Sequence, residues 1–193
     1  MRYFLSLMIV LAIAVPSSGA DYSRAAFKHW SDLDGDCQDA RQEALIAESL
    51  IPVTFETEKR CRVDTGLWVC PFTGMVFTDP GVLDVDHLVP LKEAWRSGAD
   101  RLNPVELELY ANYLEDANHL VVVWRSANRS KGAKDPSDWM PANRAYWQEY
   151  LRDWINVKWR WDLDSDPDEK EAISKLLSKA KEYVRGDKNP LDK

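Results

Sequence analysis

Residues 81–90 read GVLDVDHLVP and residues 117–132 read ANHLVVVWRSANRSKG, and these two stretches decide the fold. In the first, Val82 to Val85 leads as an extended run into Asp86-His87, and Pro90 then blocks any regular central strand. In the second, Leu120 to Val123 is a short β-branched run and reads as a strand. Ser126 stands where it can cap a helix over Ala127 to Lys131, and Gly132 is its stop. Strand, strand and helix in this order form a compact ββα unit over about residues 82–133. It carries Asp86 and His87, then Asn118 31 residues after His87, then Asn128 41 residues after it.

The flanks supply the rest of an α+β domain. Asp39 to Leu50 is filled with good helix formers and stopped by Pro52, and Val53 to Phe55 is short and extended. Cys61–Val63 and Leu67–Val69 flank Asp64-Thr65-Gly66, a three-residue hairpin signal, and Thr73-Gly74 marks a further turn inside Phe72 to Phe77. Asn103-Pro104-Val105-Glu106 combines a cap residue, proline at the first helical position and glutamate three residues in, opening a helix that buries Leu107, Tyr110, Ala111 and Leu114. Tyr146, Trp147, Tyr150, Leu151, Trp154 and Ile155 recur at intervals of three and four, giving one broad apolar helix face. A last helix opens at Pro167 behind Ser165 or Asp166, turns Ile173, Leu176, Leu177 and Ala180 inward, and frays over Gly186 to Lys193. The nine tryptophans read as core and helix packing rather than as a base-stacking platform. No repeat or linker interrupts the pattern, so residues 21–193 form one domain.

The first twenty residues read as a leader outside that domain. Arg2 precedes an apolar run from Tyr3 to Val15, and Ser18-Gly19-Ala20 is a small-x-small cleavage site. Thirteen apolar residues fall short of the roughly 20 that cross a bilayer as a helix. The expectation is a bacterial Sec-type signal peptide, cleaved after Ala20, with a secreted or periplasmic product and no membrane in the mature form. Removing residues 1–20 takes away Arg2 alone among the charged residues, so the net charge moves from −7 to −8. That sign excludes tight, non-specific coating of nucleic acid by counterion release. Local basic stretches survive at Lys59–Arg62 and at Trp124–Lys134, against acidic ones at Asp32–Asp39 and Asp162–Glu171. Cys37, Cys61 and Cys70 fit no compact zinc cage; in an oxidising compartment one pair closes, and spacing permits all three pairings, Cys61–Cys70 across the expected hairpin included.

The central residues supply the parts of a phosphodiester hydrolase. Asp86 is a hard oxygen ligand suited to Mg²⁺ or Mn²⁺, and the side-chain carbonyl of Asn128 is a second. His87, with an ordinary pKa near 6.5, can take a proton from attacking water at neutral pH, and activity should then fall below that pH. Adjacent residues of an unbroken strand face opposite ways, so this use of both Asp86 and His87 asks for a strand end or bulge. On spacing by itself, a surface Asp–His pair is the better explanation, because the dipeptide is common. His29 and His119 read as structural.

GVLDVDHLVPLKEAWRSGA and ANHLVVVWRSANRSKGAKDPSDWMP resemble the exported branch of the HNH, or His-Me finger, endonucleases, close to the C-terminal nuclease domain of modification-dependent restriction systems. DLDGDCQDARQEALIAES and CRVDTGLWVCPFTGMVFTD resemble the same branch, so the likeness runs from about Trp30 to Trp154. It implies a single α+β domain with a ββα-metal core, an N-terminal helix and hairpin, and C-terminal packing helices. By position it makes His87 the general base, Asp86 and Asn128 the metal ligands, and Asn118 the brace of the histidine's loop. Asn128 stands where many relatives carry histidine, which leaves an all-oxygen site and favours one Mg²⁺, with Mn²⁺ as the alternative. Arg41, Arg129 and Lys131 are the implied phosphate contacts and Glu43 a supporting group behind the site. The family pattern also favours a Cys37–Cys61 disulfide with Cys70 unpaired. The implied function is a secreted, monomeric, metal-dependent endonuclease acting on DNA with little sequence preference, with RNA as a second candidate substrate. The alternative is a secreted, non-catalytic nucleic-acid-binding module that keeps the fold.

Overall fold

The computed structural model describes residues 21–184, with side chains to residue 179. The leader, Ala180's burial and the fraying of 186–193 lie outside the described residues. After a 3-10 turn at Arg24–Phe27 the order is α1 (Ala40–Glu48), β1 (Thr54–Phe55), β2 (Val63–Thr65), β3 (Trp68–Val69), β4 (Val76–Phe77), β5 (Leu83–His87), α2 (Leu91–Arg96), α3 (Pro104–Ala111), β6 (Leu120–Trp124), α4 (Arg125–Lys131), α5 (Trp147–Arg160) and α6 (Pro167–Val184). The chain is a single small α+β domain. Among the described residues no helix is long and apolar enough to cross a membrane.

The expected ββα unit is β5, β6 and α4. β5 and β6 pair antiparallel in continuous register from Leu83↔Trp124 to His87↔Leu120, and Leu88 N–H extends the ladder to His119 O at 3.0 Å. No bulge interrupts it; β5 ends at His87. All of Leu120, Val121, Val122 and Val123 are buried because both faces of this two-stranded sheet are covered. Leu83, Val85, Leu120 and Val122 pack with Ala44, Leu45 and Trp68, while Val121 and Val123 join the larger core of Phe72, Tyr110, Tyr150, Leu151 and Trp154. α4 begins at Arg125 directly from the strand and Trp124 gives it no side-chain cap, so Ser126 lies inside the helix rather than capping it. Gly132 ends it at φ +58°.

Between α1 and β5 the expected hairpin does not form. β2 pairs with β1, and β3 with β4. Gly66 lacks the left-handed φ that a three-residue hairpin turn needs. Its hydrogen is required for another reason: a Cβ there would stand 2.5 Å from the Trp68 ring and 2.8 Å from Ser49 Oγ. The buried Trp68 indole folds back beneath the backbone and donates Nε1–H to Leu45 O at 2.8 Å. The turn that does form lies at 70–75, where Gly74 takes φ +73°.

The N-terminal helix is capped by Asp39 onto Gln42 N–H, and a disulfide joins Cys37 to Cys61 across a separation of 24 residues. Closing such a loop stabilises by roughly 3–4 kcal/mol in the loop-entropy estimate. Cys70 is buried and free, and Trp124 N–H points at its sulfur at 3.2 Å. α3 carries the full capping box of Asn103 and Glu106. α6 is capped by Asp166, which accepts from Glu169 N–H at 2.9 Å. α5 buries Tyr150, Leu151 and Trp154 as expected, but Ile155 is half exposed and Trp159 is 83% exposed, outside the packed face.

The edge of β6 is closed by a side chain. Both oxygens of Glu48, at the end of α1, accept from Val122 N–H at 3.0 Å, and burial pushes this carboxyl from 4.5 up to about 7. A carboxyl whose folded pKa is raised binds its proton more readily in the folded state, so stability from this group falls as pH climbs from 4.5 to 7. Glu48→Gln keeps an acceptor for Val122 and removes the charge. It is expected to stabilise the protein by roughly 1–3 kcal/mol at pH 8 and by little at pH 5. Urea titrations at the two pH values check this; an equal effect at both would show that Glu48 is not held as a buried carboxylate.

Candidate active site

Strand alternation sorts the motif residues. Asp84 and Asp86 share the face of β5 covered by α4, and His87 shares the opposite face with Val85. On α4, Arg125, Asn128 and Lys131 recur every three residues and meet that carboxylate face. Asn128 Nδ2 donates to Asp84 Oδ2 at 3.1 Å, and Arg125 Nε lies 3.4 Å from Asp84 Oδ1. Arg125 also donates to Gly81 O. Lys131 Nζ sits 2.5 Å from Asp86 Oδ2 and donates to His87 O at 2.9 Å. Both members of this pair are buried, Lys131 entirely.

His87 is held by its own set of contacts. Its Nε2 is 2.8 Å from Ala111 O at the end of α3. A carbonyl only accepts, so Nε2 carries the proton and the lone pair of the neutral ring is on Nδ1. The imidazole stacks between Trp30, 5.6 Å away at 25°, and Tyr110, 6.4 Å away at 7°. Trp30 takes a left-handed φ of +65° to reach it, a conformation that costs a non-glycine residue and persists where its surroundings over-determine it. Burial, with the His119 ring next, holds the His87 pKa well below its ordinary 6.5. The ring is therefore neutral to lower pH than the sequence alone suggested.

Although Asp86 and His87 point to opposite faces, both line one cleft of about 400 Å³. The strand ends at His87, and the cleft lies across that end, so the alternation that separates the two side chains does not keep them from one substrate. Asn128, Arg24, Lys92 and Arg129 line the same cleft. Burial pushes the Asp86 carboxyl up to about 6, with the nearby Lys131 ammonium opposing and Asp84 adding to the rise. Asp86 and Asn128, which both line the cleft, offer hard oxygen donors of the kind that suit Mg²⁺ or Mn²⁺, and Asp84 stands behind them, bonded to Asn128. With Asn128 Nδ2 committed to Asp84, Oδ1 is its available ligand atom.

The other expected site residues are distributed differently. Arg129 is exposed on the cleft. Lys131 faces inward, so its ammonium is the counterion of Asp86 rather than a surface phosphate contact. Arg41 donates to the carbonyls of Pro80 and Leu83 and lines a separate cavity with Arg62 and Arg125. Glu43 is turned to the acidic loop; burial raises its pKa, and Asp34, Asp36, Asp32 and Asp39 raise it further. The expected brace by Asn118 does not form among the described residues: Asn118 gives only its backbone N–H, to Asp116 Oδ1 at 3.1 Å, and Ala111 O holds the histidine. His119 is fully buried with Nε2 2.7 Å from Tyr110 O and Nδ1 without a partner, and burial lowers its pKa to about 4. Asp84, Trp30 and Arg24 were not anticipated. Asp84 had a signal, the two-residue strand period from Asp86; Trp30 and Arg24 reach the site through tertiary packing that leaves no local pattern.

A ββα unit with a carboxylate–histidine pair at the end of its first strand and an amide on its helix defines a nuclease-like class of site. Over residues 46–176, more than half of the chain, the sequence matches the family described as GmrSD restriction endonucleases, C-terminal domain, and the chain belongs to this HNH-type family. It is also 32% identical over 173 residues to an "Uncharacterized secreted protein" of Arthroderma benhamiae, covering 90% of this chain and 82% of that protein. No solved structure matches.

Removing Lys131 strands a buried carboxylate, a change that costs roughly 3–5 kcal/mol where the partner stays charged. Lys131→Met is expected to destabilise strongly at pH 8 and much less at pH 5, where a protonated Asp86 needs no counterion. Adding Asp86→Asn to Lys131→Met should recover most of the loss at pH 8. Equal destabilisation at both pH values, with no recovery in the double variant, would mean that packing and not charge holds this contact.

Proposed function

We propose that the protein is an exported, divalent-metal-dependent endonuclease that hydrolyses phosphodiester bonds, with DNA as its main substrate. The observation that carries this reading is the meeting of Asp86, Asn128 and a tautomer-fixed His87 in one cleft. His87 Nδ1 takes the proton of the attacking water, and the ring's Nε2–H stays on Ala111 O throughout, so its orientation survives the transfer. Trp30 and Tyr110 restrict ring rotation. Asp86 and Asn128 would hold the metal, with Asp84 fixing the Asn128 amide, and the metal when bound supplies a Lewis acid to the phosphate and to the departing oxygen. Arg129 faces the cleft as a phosphate contact. Export is supported by the apolar leader, by the Cys37–Cys61 disulfide and by the relative named as secreted; that relative is fungal and lends nothing to a specifically bacterial leader.

Plasmid incubated with mature protein should be nicked and linearised with Mg²⁺ and left intact with EDTA. Binding without cleavage across Mg²⁺, Mn²⁺, Ca²⁺ and Zn²⁺ would establish the non-catalytic module instead. His87→Ala should lose about 10²-fold or more in rate while staying folded, the scale of losing a general base. The pH profile identifies the limiting group. Burial keeps His87 neutral below 6.5 and raises the Asp86 carboxyl to about 6, so an acid limb near 6 is expected to come from the ligand. Proton and metal then compete for one carboxylate, and raising Mg²⁺ should move that limb to lower pH. A limb that ignores Mg²⁺ concentration would assign it to another group.

A further inference from the structure

The structure points to a phosphate-backbone rim formed by Arg24 and Lys92 together with Arg129, in which the N-terminal strap 22–30 is part of the substrate-binding site. This rests on reading the cleft as a phosphodiesterase site. Arg24 comes from the 3-10 turn, Lys92 from α2 and Arg129 from α4, and all three line the cleft that holds Asp86 and His87. All three are exposed, and among the described residues none is ion-paired or donates a hydrogen bond to a carboxylate.

Their freedom contrasts with the other cations of the region. Arg41 is spent on two carbonyls, Arg125 on Asp84, Lys131 on Asp86 and Arg96 on Glu93. In a chain of net charge −7, acids are abundant enough to neutralise a surface cation. Three unneutralised ones around a single cleft favour a ligand that brings several negative charges. Phosphates spaced along a nucleic-acid strand fit that demand, since the cations belong to three separate elements rather than to one point. The field of Arg24 already reaches both Asp86 and His87.

The strap is a fixed platform. Phe27 is fully buried and packs edge-on to Tyr110 at 5.9 Å and to Trp95 at 6.1 Å. Asn112 Nδ2 donates to Lys28 O at 3.0 Å, its Oδ1 accepts from Ser31 N–H at 2.8 Å, and Ser31 Oγ donates to Glu108 at 2.7 Å. Arg24 stands beside the Tyr22 hydroxyl, whose ring packs on Phe27 and Trp95. The backbone that carries Arg24 is then already ordered when the side chain meets a phosphate. Residues 21–45 lie outside the stretch that matches the family, so this contact is added to the ββα core from its flank.

Fluorescence anisotropy of a fluorescein-labelled DNA duplex, in EDTA to prevent cleavage, tests the rim on the whole mature protein over a series of salt concentrations. Each lost phosphate contact lowers the slope of log K against log salt by about 0.9. Arg24→Ala/Lys92→Ala should reduce the slope by about 2 and weaken binding at 0.1 M salt roughly 50-fold. Arg24→Lys should keep the slope, and Lys175→Ala, whose side chain lines a different cavity, should behave as wild type. With Mg²⁺, KM for DNA should rise in the double variant by more than KM for the minimal diester bis(4-nitrophenyl) phosphate, which has no flanking phosphates to meet the rim. Wild-type slope and affinity in the double variant, or no binding by the wild type, would overturn the rim. A wild type that binds with the expected slope changes but cleaves neither DNA nor the small diester would uphold the rim and overturn the nuclease reading.

Discussion

Lys131 Nζ, held between Asp86 Oδ2 at 2.5 Å and His87 O at 2.9 Å, is the contact on which the site depends. It fastens the end of β5 to the end of α4, and with it the two elements that carry the carboxylates and the amide. Taking both charges out of water costs several kcal/mol each, so the pair is a poor source of net stability. Its effect is on geometry. The ammonium has an acceptor in the side chain of Asp86 and another in the backbone one residue on, so it fixes where the carboxylate sits relative to the strand end. Oδ2 is committed to Lys131, which leaves Oδ1 as the oxygen open to a further cation.

A second buried ammonium fixes the opposite wall. Lys158 Nζ on α5 meets Glu169 of α6 at 2.6 Å, Glu93 of α2 at 3.1 Å and Ser97 Oγ at 3.0 Å. Glu169 also accepts Trp154 Nε1–H at 2.5 Å, and Glu93 accepts from Arg96. Here two carboxylates share one buried cation, with hydrogen bonds from neutral donors and from Arg96 completing their shells. α2 begins at Leu91, four residues after His87, so this network sets the direction in which the chain leaves β5. The C-terminal helices that looked like packing in the sequence therefore also position the cleft, through ionic groups that helical periodicity does not reveal.

The ββα unit was legible because everything that defines it is local. The strand runs, Pro90, Gly132 and the spacing of Asp86, His87 and Asn128 lie in two short stretches, and the register follows from them. The capping box at Asn103 was readable for the same reason. The hairpin at 61–69 was misread because Gly66 offered a turn signal while serving a tertiary need, the close approach of Trp68. Strand pairing there is decided by which residue buries an indole against α1, and no window of the sequence contains that contact. Arg41 looked like a phosphate contact by type and position, yet half-buried, its charge answers carbonyls at the start of β5. Arg24 went unnoticed because its place at the cleft depends on Phe27 meeting Tyr110, residues 83 positions apart.

Net charge was the feature most open to misreading. A chain at −7 repels a polyanion as a whole, and that repulsion governs how slowly the two approach. At physiological salt, however, exposed charges separated by more than about 8 Å are largely screened from one another. What a phosphate meets at the cleft is set by the groups that line it, and among these the exposed charges are Arg24, Lys92 and Arg129, while the carboxylate of Asp86 is cancelled by the ammonium of Lys131. The acidic loop at Asp32–Asp36 and the acidic start of α6 add to the global sum without occupying the cleft. On the proposed nuclease reading, an acidic body with a cationic mouth would hold a backbone only while it is seated at the end of β5. For hydrolysis of a long polymer that is an advantage, because a protein that bound the whole backbone tightly would release its cleaved ends slowly.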